Sequence, residues 1–477
     1  MNNILLDVAG LRVIESAGGK AIVDGVDLRV AAGSVLTLLG ESGSGKSLLA
    51  QAVMGTLATG LRAEGGITIA GQRFDAGDQP SRQRLWGRDV ALLPQEPWLA
   101  LDPTMCVRQQ VAETHELVAG LAVDESREAA LNDLRQLGLQ DAARLYPHQI
   151  SGGMAQRVAF LATHAAGAKL LIVDEPTKGL DSGKRAELLA MLRAALADGM
   201  AVLCITHDVW LARALGGEIA VMLDGTVIEQ GSTAHVLAQP SHAYTRALLA
   251  ADPASWPVRP AARVPGEVVA SVREVEKSFG RRCLFSGISV DIRRGEVVAI
   301  TGESGAGKTT FGNLLLGLLK PDAGMVTRAT GLARTAFQKL YQDPAAAFAP
   351  TVTLRTALAD MLALHGLTWD AATPLLARLR LGEHLLGRLP SQVSGGELQR
   401  FALARVLLLK PALIFADEPT SRLDPVTQQE TLELLLEAAG DSGCAVLLVT
   451  HDAEIARAVA QREITLGGGG VGLRPAA

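Results

Sequence analysis

Gly40–Ser47 reads GESGSGKS, and Gly302–Thr309 reads GESGAGKT. A GxxxxGK[ST] run suits phosphate. Its glycines let backbone N–H groups turn inward around an anion, and the helix that follows adds its positive end. Gly40, Ser42, Gly43 and Gly45 shape the first cradle, and Gly302, Ser304, Gly305 and Gly307 the second. Lys46 and Lys308 are placed to neutralise terminal phosphates, while Ser47 and Thr309 offer a hydroxyl to Mg2+. One such run can arise by accident in a glycine-rich chain; a repeated one in repeated surroundings is not an accident.

Two acidic pairs follow apolar strands, in LLIVDEPT and LIFADEPT. Carboxylates there sit at the strand's carboxyl end, where ligands of parallel sheets bind. Asp174 and Asp417 are expected to hold Mg2+ through its waters, and Glu175 and Glu418 to orient or deprotonate an attacking water. An acidic pair capping a strand is by itself more often structural; a phosphate loop upstream favours catalysis. His207 and His451, each in a THD just past a buried strand, are expected to contact the γ-phosphate rather than serve as core histidines.

These groups need elements to position them, and the elements repeat. Lys46 and Lys308 are 262 residues apart; the SGG runs at Ser151 and Ser394, and the DEPT runs, are 243 apart. The chain is a tandem duplication whose second copy is shorter between phosphate loop and SGG. VLTLLG and VVAITG read as short buried strands, and KSLLAQAVMGTL and KTTFGNLLLGLL have helical apolar spacing. Alternating strands and helices predict an α/β fold, a mainly parallel sheet covered on both faces. Asp224-Gly225 predicts a hairpin. Residues 253–266, PASWPVRPAARVPG, predict a stiff, extended connector rather than a packed element, and the residues after Leu466 a frayed end.

Composition narrows the class. The 477 residues suffice for two or three cored domains, and 48% hydrophobic with 20% charged is ordinary for globular protein. A net charge of −5 offers no general attraction to nucleic acid or anionic lipid. Four scattered cysteines without CxxC spacing argue against a zinc or iron–sulfur site and for a reducing compartment. Neither a signal peptide nor a membrane-spanning run is read, which predicts a cytoplasmic chain.

SGGMAQR and SGGELQR, some way before an apolar-DEPT strand with a following LD and THD, resemble ATP-binding cassette (ABC) proteins over essentially the whole chain, twice. The resemblance implies two tandem P-loop NTPase domains, at 1–252 and 267–477. Each would carry a small antiparallel β-subdomain and a helical signature subdomain. It implies Q-loop roles, sensing Mg2+ and the water, for Gln95 and Gln342, signature loops at Ser151, Gly152, Gly153 and Ser394, Gly395, Gly396, and D-loop roles for Asp181 and Asp424. In this family an SGG binds the γ-phosphate held by the other domain's phosphate loop. Two ATP would therefore sit in composite head-to-tail sites, Lys46 facing Ser394 and Lys308 facing Ser151.

The family also stacks adenine on an aromatic residue upstream of the phosphate loop. Phe279 suits this, while Ala17, opposite it when Gly25 is aligned with Gly287, does not; weaker nucleotide binding at Lys46 is expected. From phosphate-loop lysine to Q-loop glutamine the second copy has 34 residues against 49, so its β-subdomain is expected to be cut short.

A motor of a membrane transporter is favoured over a soluble tandem ATPase acting on ribosomes or nucleic acid, because the connector is short and the chain acidic. QPSHAYTRALLAADP, LYPHQISGGMAQR and SRLDPVTQQE are similar to ATPases of the peptide/nickel import group. That resemblance implies two permease subunits, an extracytoplasmic solute-binding protein and a peripheral place on the cytoplasmic face of a bacterial inner membrane. Peptide, nickel or a metal chelate would be the cargo. The permeases would dock near the Gln95 and Gln342 loops, with Trp98 and Leu99 as contacts.

Overall fold

The computed structural model describes all residues except 1–2, 96, 181, 260–265, 281, 304, 468–469 and 476–477, and the side chains of 97–98, 182 and 470–475. The expected roles of Asp181 and Ser304 and the side chain of Trp98 therefore lie outside the described residues. The chain divides into two compact units, Met1–Leu249 and Ala250–Ala477.

Each unit is built on a six-stranded sheet. In the first, the spatial order is Thr226–Ser232, Glu218–Leu223, Val35–Gly40, Ala201–Thr206, Leu170–Asp174, Val90–Leu93. In the second it is Phe337–Leu340, Leu413–Asp417, Ala445–Val449, Val297–Gly302, Arg462–Gly467, Gly470–Pro475. Every pairing is parallel except that of the hairpin strand at one edge of each sheet. The strand ending in the phosphate loop and the strand ending in the acidic pair thus flank the one ending in THD, so three carboxyl ends open side by side.

Both faces of the sheet are covered, which is why its strands read as continuous apolar runs. Leu170 and Ile172 enter one core, and their alternate neighbours Leu171 and Val173 the other. Leu413 and Phe415 part from Ile414 and Ala416 in the same way. One core is roofed by an antiparallel sheet, four-stranded in the first unit and three-stranded in the second. The other is filled by helices, Val107–Leu117, Val123–Gln136 and Gly152–His164 in the first unit, and Leu354–Leu364, Trp369–Arg378 and Gly395–Leu408 in the second.

The hairpin at Asp224-Gly225 forms with both residues at positive φ, 47° and 81°. Its Gly225 N–H donates to Ser44 O at 3.2 Å, which ties the turn to the phosphate loop. The connector differs from the sequence expectation. Pro253–Ser255 forms a tight turn capped by Asp252, Trp256 is 9% exposed within the helical core of the second unit, and Arg259 N–H donates to Ala458 O at 2.8 Å. An indole has more apolar surface than an extended connector can leave wet, and it overrides the prolines around it. The expected frayed end is likewise corrected: Gly470–Pro475 pairs antiparallel with Arg462–Gly467 and closes the sheet edge.

Candidate functional site

The phosphate loops build themselves from local sequence. The helices Lys46–Met54 and Lys308–Leu316 begin after Gly45 and Gly307, both left-handed at φ 96° and 95°, and neither helix has a side-chain cap. Only glycine adopts that angle without strain, and an uncapped first turn leaves N–H donors for an anion. Lys46 Nζ donates to Gly40 O at 2.8 Å and Glu41 O at 2.5 Å; Lys308 Nζ donates to Gly302 O at 2.8 Å and Glu303 O at 3.0 Å. Both ammonium groups are thereby fixed at the loop, their stems nearly buried.

The acidic strand ends meet these loops. Ser47 Oγ donates to Asp174 Oδ1 at 3.1 Å, and Thr309 Oγ1 to Asp417 Oδ1 at 3.0 Å. Glu175 and Glu418 follow with left-handed backbones, each at φ 47°, while their N–H groups still donate to Ile205 O and Val449 O of the neighbouring strand. A non-glycine residue held there stores strain of about 1–3 kcal/mol. The turn swings the glutamate to the THD histidine. Glu175 Oε2 lies 2.7 Å from His207 Nδ1, and Glu418 Oε1 lies 2.5 Å from His451 Nε2. Gln342 Nε2 donates to Glu418 Oε2 at 2.9 Å, while Gln95 sits in the bend after its strand.

Burial pushes both carboxyls of the first acidic pair up, and only one has a neighbour that outweighs it. Burial pushes the Asp174 carboxyl above its ordinary value, with the charge of Glu175 adding to it against the Ser47 hydrogen bond. Burial pushes Glu175 up as well, but His207 outweighs it and leaves the carboxyl below its ordinary value. Glu175 therefore keeps its charged form more readily than Asp174 beside it.

The remaining sequence candidates are distributed over other elements. Ser151 and Ser394 cap the helices Gly152–His164 and Gly395–Leu408, accepting from Met154 N–H and Glu397 N–H at 3.3 Å. Asp424 caps the helix Pro425–Ser442 by accepting from Thr427 N–H. Phe279 ends its strand 54% exposed. The matching strand of the first unit ends at Glu15, so counting by strand ends puts Glu15 opposite Phe279, and neither it nor Ala17 is aromatic.

Several roles went unread in the sequence. Asp208 and Asp452 of the THD runs cap the next helix and take their own N–H to the threonine hydroxyl, which leaves the histidine to face the site. The buried Gln156 and Gln399 of SGGxxQR hold the signature helix to Pro176 O and Tyr341 O, the loops beside the acidic and Q-loop positions. An aspartate directly before an apolar helical run was a readable cap signal; nothing local marks the glutamine contacts.

Comparison with known proteins decides among nucleotide-binding α/β folds. The ABC transporter family matches residues 23–178 and 285–421. The chain belongs to the ABC transporter family. It is an ABC ATP-binding protein and an ATPase of that family, with two cassettes. It is 32% identical to the ABC transporter ATP-binding protein YejF of Escherichia coli (strain K12), over 94% of this chain and 90% of that one. It is also 32% identical to the peptidoglycan transport ATP-binding protein YejF of Agrobacterium fabrum, over 97% and 91%, and to the glutathione import ATP-binding protein GsiA of Salmonella typhi, over 96% and 84%. Among solved structures, a complex of archaeal ribosomal stalk protein aP1 and ribosome recycling factor aABCE1 matches with a TM-score of 0.66 over 96% of this chain and 87% of that one, and at 22% identity this likeness is one of fold. Within the described residues, no helix of this ABC protein is long and apolar enough to cross a membrane.

Proposed function

We propose that the protein is the ATP-hydrolysing motor subunit of an importer for short peptides or peptide-containing solutes. The observation that carries this reading is 32% identity, over more than nine-tenths of this chain, to proteins named for peptidoglycan transport and glutathione import. Nickel and metal chelates, expected from the resemblance, find no counterpart in those names. The ribosome-linked reading is supported only by likeness of fold at 22% identity.

Each cassette would hold ATP on its phosphate loop through Lys46 or Lys308, with Phe279 stacking adenine in the second. Mg2+ fits the donors present. Ser47 with Asp174, and Thr309 with Asp417, are adjacent hard oxygens, and burial of Asp174 leaves a carboxylate that a dication would satisfy. Gln95 and Gln342 would complete that set. When bound, the ion neutralises phosphate charge. Glu175 and Glu418 would take the proton of the attacking water, oriented by His207 and His451. The signature groups Ser151–Gly153 and Ser394–Gly396, with Asp181 and Asp424, would complete the nucleotide site of the opposite cassette, so that ATP joins the cassettes and hydrolysis lets them part.

Work requires a partner that moves. A groove of about 320 Å³ lined by Pro94, Leu101, Met105 and Gln110 opens beside the first Q loop, and one of about 520 Å³ lined by Tyr341, Phe348, Met361 and Arg405 beside the second. Two permease subunits would seat here, with the chain peripheral on the cytoplasmic face of the membrane and a solute-binding protein delivering cargo outside; Leu99, 70% exposed, would be one contact. In the assembled complex, Glu175→Gln and Glu418→Gln are each expected to lower ATP turnover by about 100-fold or more while leaving ATP bound. Unchanged turnover in both would refute the assignment.

A further inference from the structure

The two acidic strand ends are not equivalent. In the second unit Lys339 Nζ lies 3.0 Å from Asp417 Oδ2 and donates to Asn313 Oδ1 at 3.3 Å, with its side chain 12% exposed. The same ammonium lies 5.2 Å from the Tyr341 ring centre and 5.3 Å from that of Phe415, within cation–π range. Asp417 thus has Thr309 on one oxygen and a lysine on the other.

Strand register identifies the counterpart. Lys339 pairs with Phe415 in the second unit as Leu92 pairs with Ile172 in the first. The other residues around the lysine differ with it. Asn313 stands where the first unit has Gln51, Tyr341 where it has Pro94, and Phe415 where it has Ile172. Phe415 itself needs Gly312, because a Cβ there would meet ring carbons at 2.1–2.3 Å; the first unit has Ala50. The first unit has Leu92 in place of the lysine, with apolar Pro94, Ile172 and Ala50 around it, and forms the same sheet, so the fold does not require the ion pair. A buried pair of this kind is also a poor source of stability compared with apolar packing. Five linked differences converge on a cation at one carboxylate oxygen.

We propose that Lys339 is a resident cation at the metal-binding end of the second unit, and that it makes this metal site the weaker of the two. It is a positioning residue that acts through Asp417. The consequence rests on the reading that both units hold a divalent cation with nucleotide: a fixed ammonium on Asp417 opposes a dication arriving at that carboxylate. The second site would then load only at higher free Mg2+ than the first.

The full chain, saturated with ADP, is titrated with Mn2+ while free Mn2+ is followed by electron paramagnetic resonance. Two classes of bound ion are expected, and Asp417→Asn is expected to abolish the weaker. Lys339→Leu should tighten that class by about tenfold or more, the size of a near like-charge repulsion. Lys339→Met, which keeps the stem, should do the same if the leucine variant melts early, and Lys339→Arg should leave it weak. A single class in the wild-type chain, loss of the tighter class in Asp417→Asn, or a weak class unmoved in both uncharged variants would each overturn the proposal. Absence of nucleotide-dependent Mn2+ binding altogether would instead sink the nucleotide-site reading itself.

Discussion

Gly312→Ala should destabilise the second unit, and Phe415→Ile should rescue it. Gly312 lies inside the helix that follows the phosphate loop, where alanine alone would stabilise by about 1 kcal/mol. The added Cβ, however, would meet Phe415 Cζ, Cε2 and Cε1 at 2.1, 2.2 and 2.3 Å. Carbon contacts relax near about 3.5–4.0 Å, so ring or helix must move by more than 1 Å, roughly. Phe415 has no exposed surface and cannot step aside. Overpacking of this kind costs about 3 kcal/mol, for a net loss of about 2 kcal/mol. Phe415→Ile alone should lose about 2 kcal/mol to the cavity it leaves. The double variant recreates the Ala50–Ile172 pair of the first unit, and the two changes should couple favourably by about 3 kcal/mol. Hydrogen exchange of peptides covering Leu413–Asp417 and Leu170–Asp174 reads the two units separately in the intact chain. Exchange through global opening should rise about 30-fold in Gly312→Ala for the second peptide alone, as 1.4 kcal/mol is tenfold. An unprotected Gly312→Ala effect no larger than that of Ala50→Gly, or a double variant no better than the sum of the singles, would refute the packing argument.

Two further perturbations test how each unit is closed. Glu229 accepts from the Ser241 N–H at 2.7 Å, the Ser241 hydroxyl at 2.8 Å and the His242 N–H at 3.1 Å, fastening the QPSHAYTRALLA segment to the hairpin. Burial pushes its carboxyl up, but the Thr245 side chain together with these donors outweighs it and holds it at about 2, below its ordinary 4.5. A depressed folded value stabilises above the ordinary value and is lost as pH falls through the folded one, so the segment should loosen between pH 4.5 and about 2. Glu229→Gln should loosen it already at pH 7 by about 1–2 kcal/mol, read as faster exchange of Ala243–Ala250. Trp256→Ala should lower the stability of the second unit by about 3–5 kcal/mol and leave the first unchanged, again by unit-resolved exchange.

The sequence alone determined which chemistry recurs and in what order. Phosphate loops, acidic pairs, SGG runs and THD runs announce themselves because backbone cradles, hard-oxygen ligands and caps each demand particular residue types at fixed short spacing. It also determined the covered parallel sheets, since strands buried on both faces read as near-continuous apolar runs, as LLIV before Asp174 and AVLLV at Ala445–Val449 do. Only the tertiary structure decided how these pieces meet: that the THD strand lies between the other two, that Glu175 and Glu418 turn left-handed onto their histidines, and that Trp256 belongs to a core. It alone brought Lys339 to Asp417, 78 residues further along the chain. Strand order and side-chain encounters over such separations come from burying two sheet faces at once, and no local run of residues encodes that.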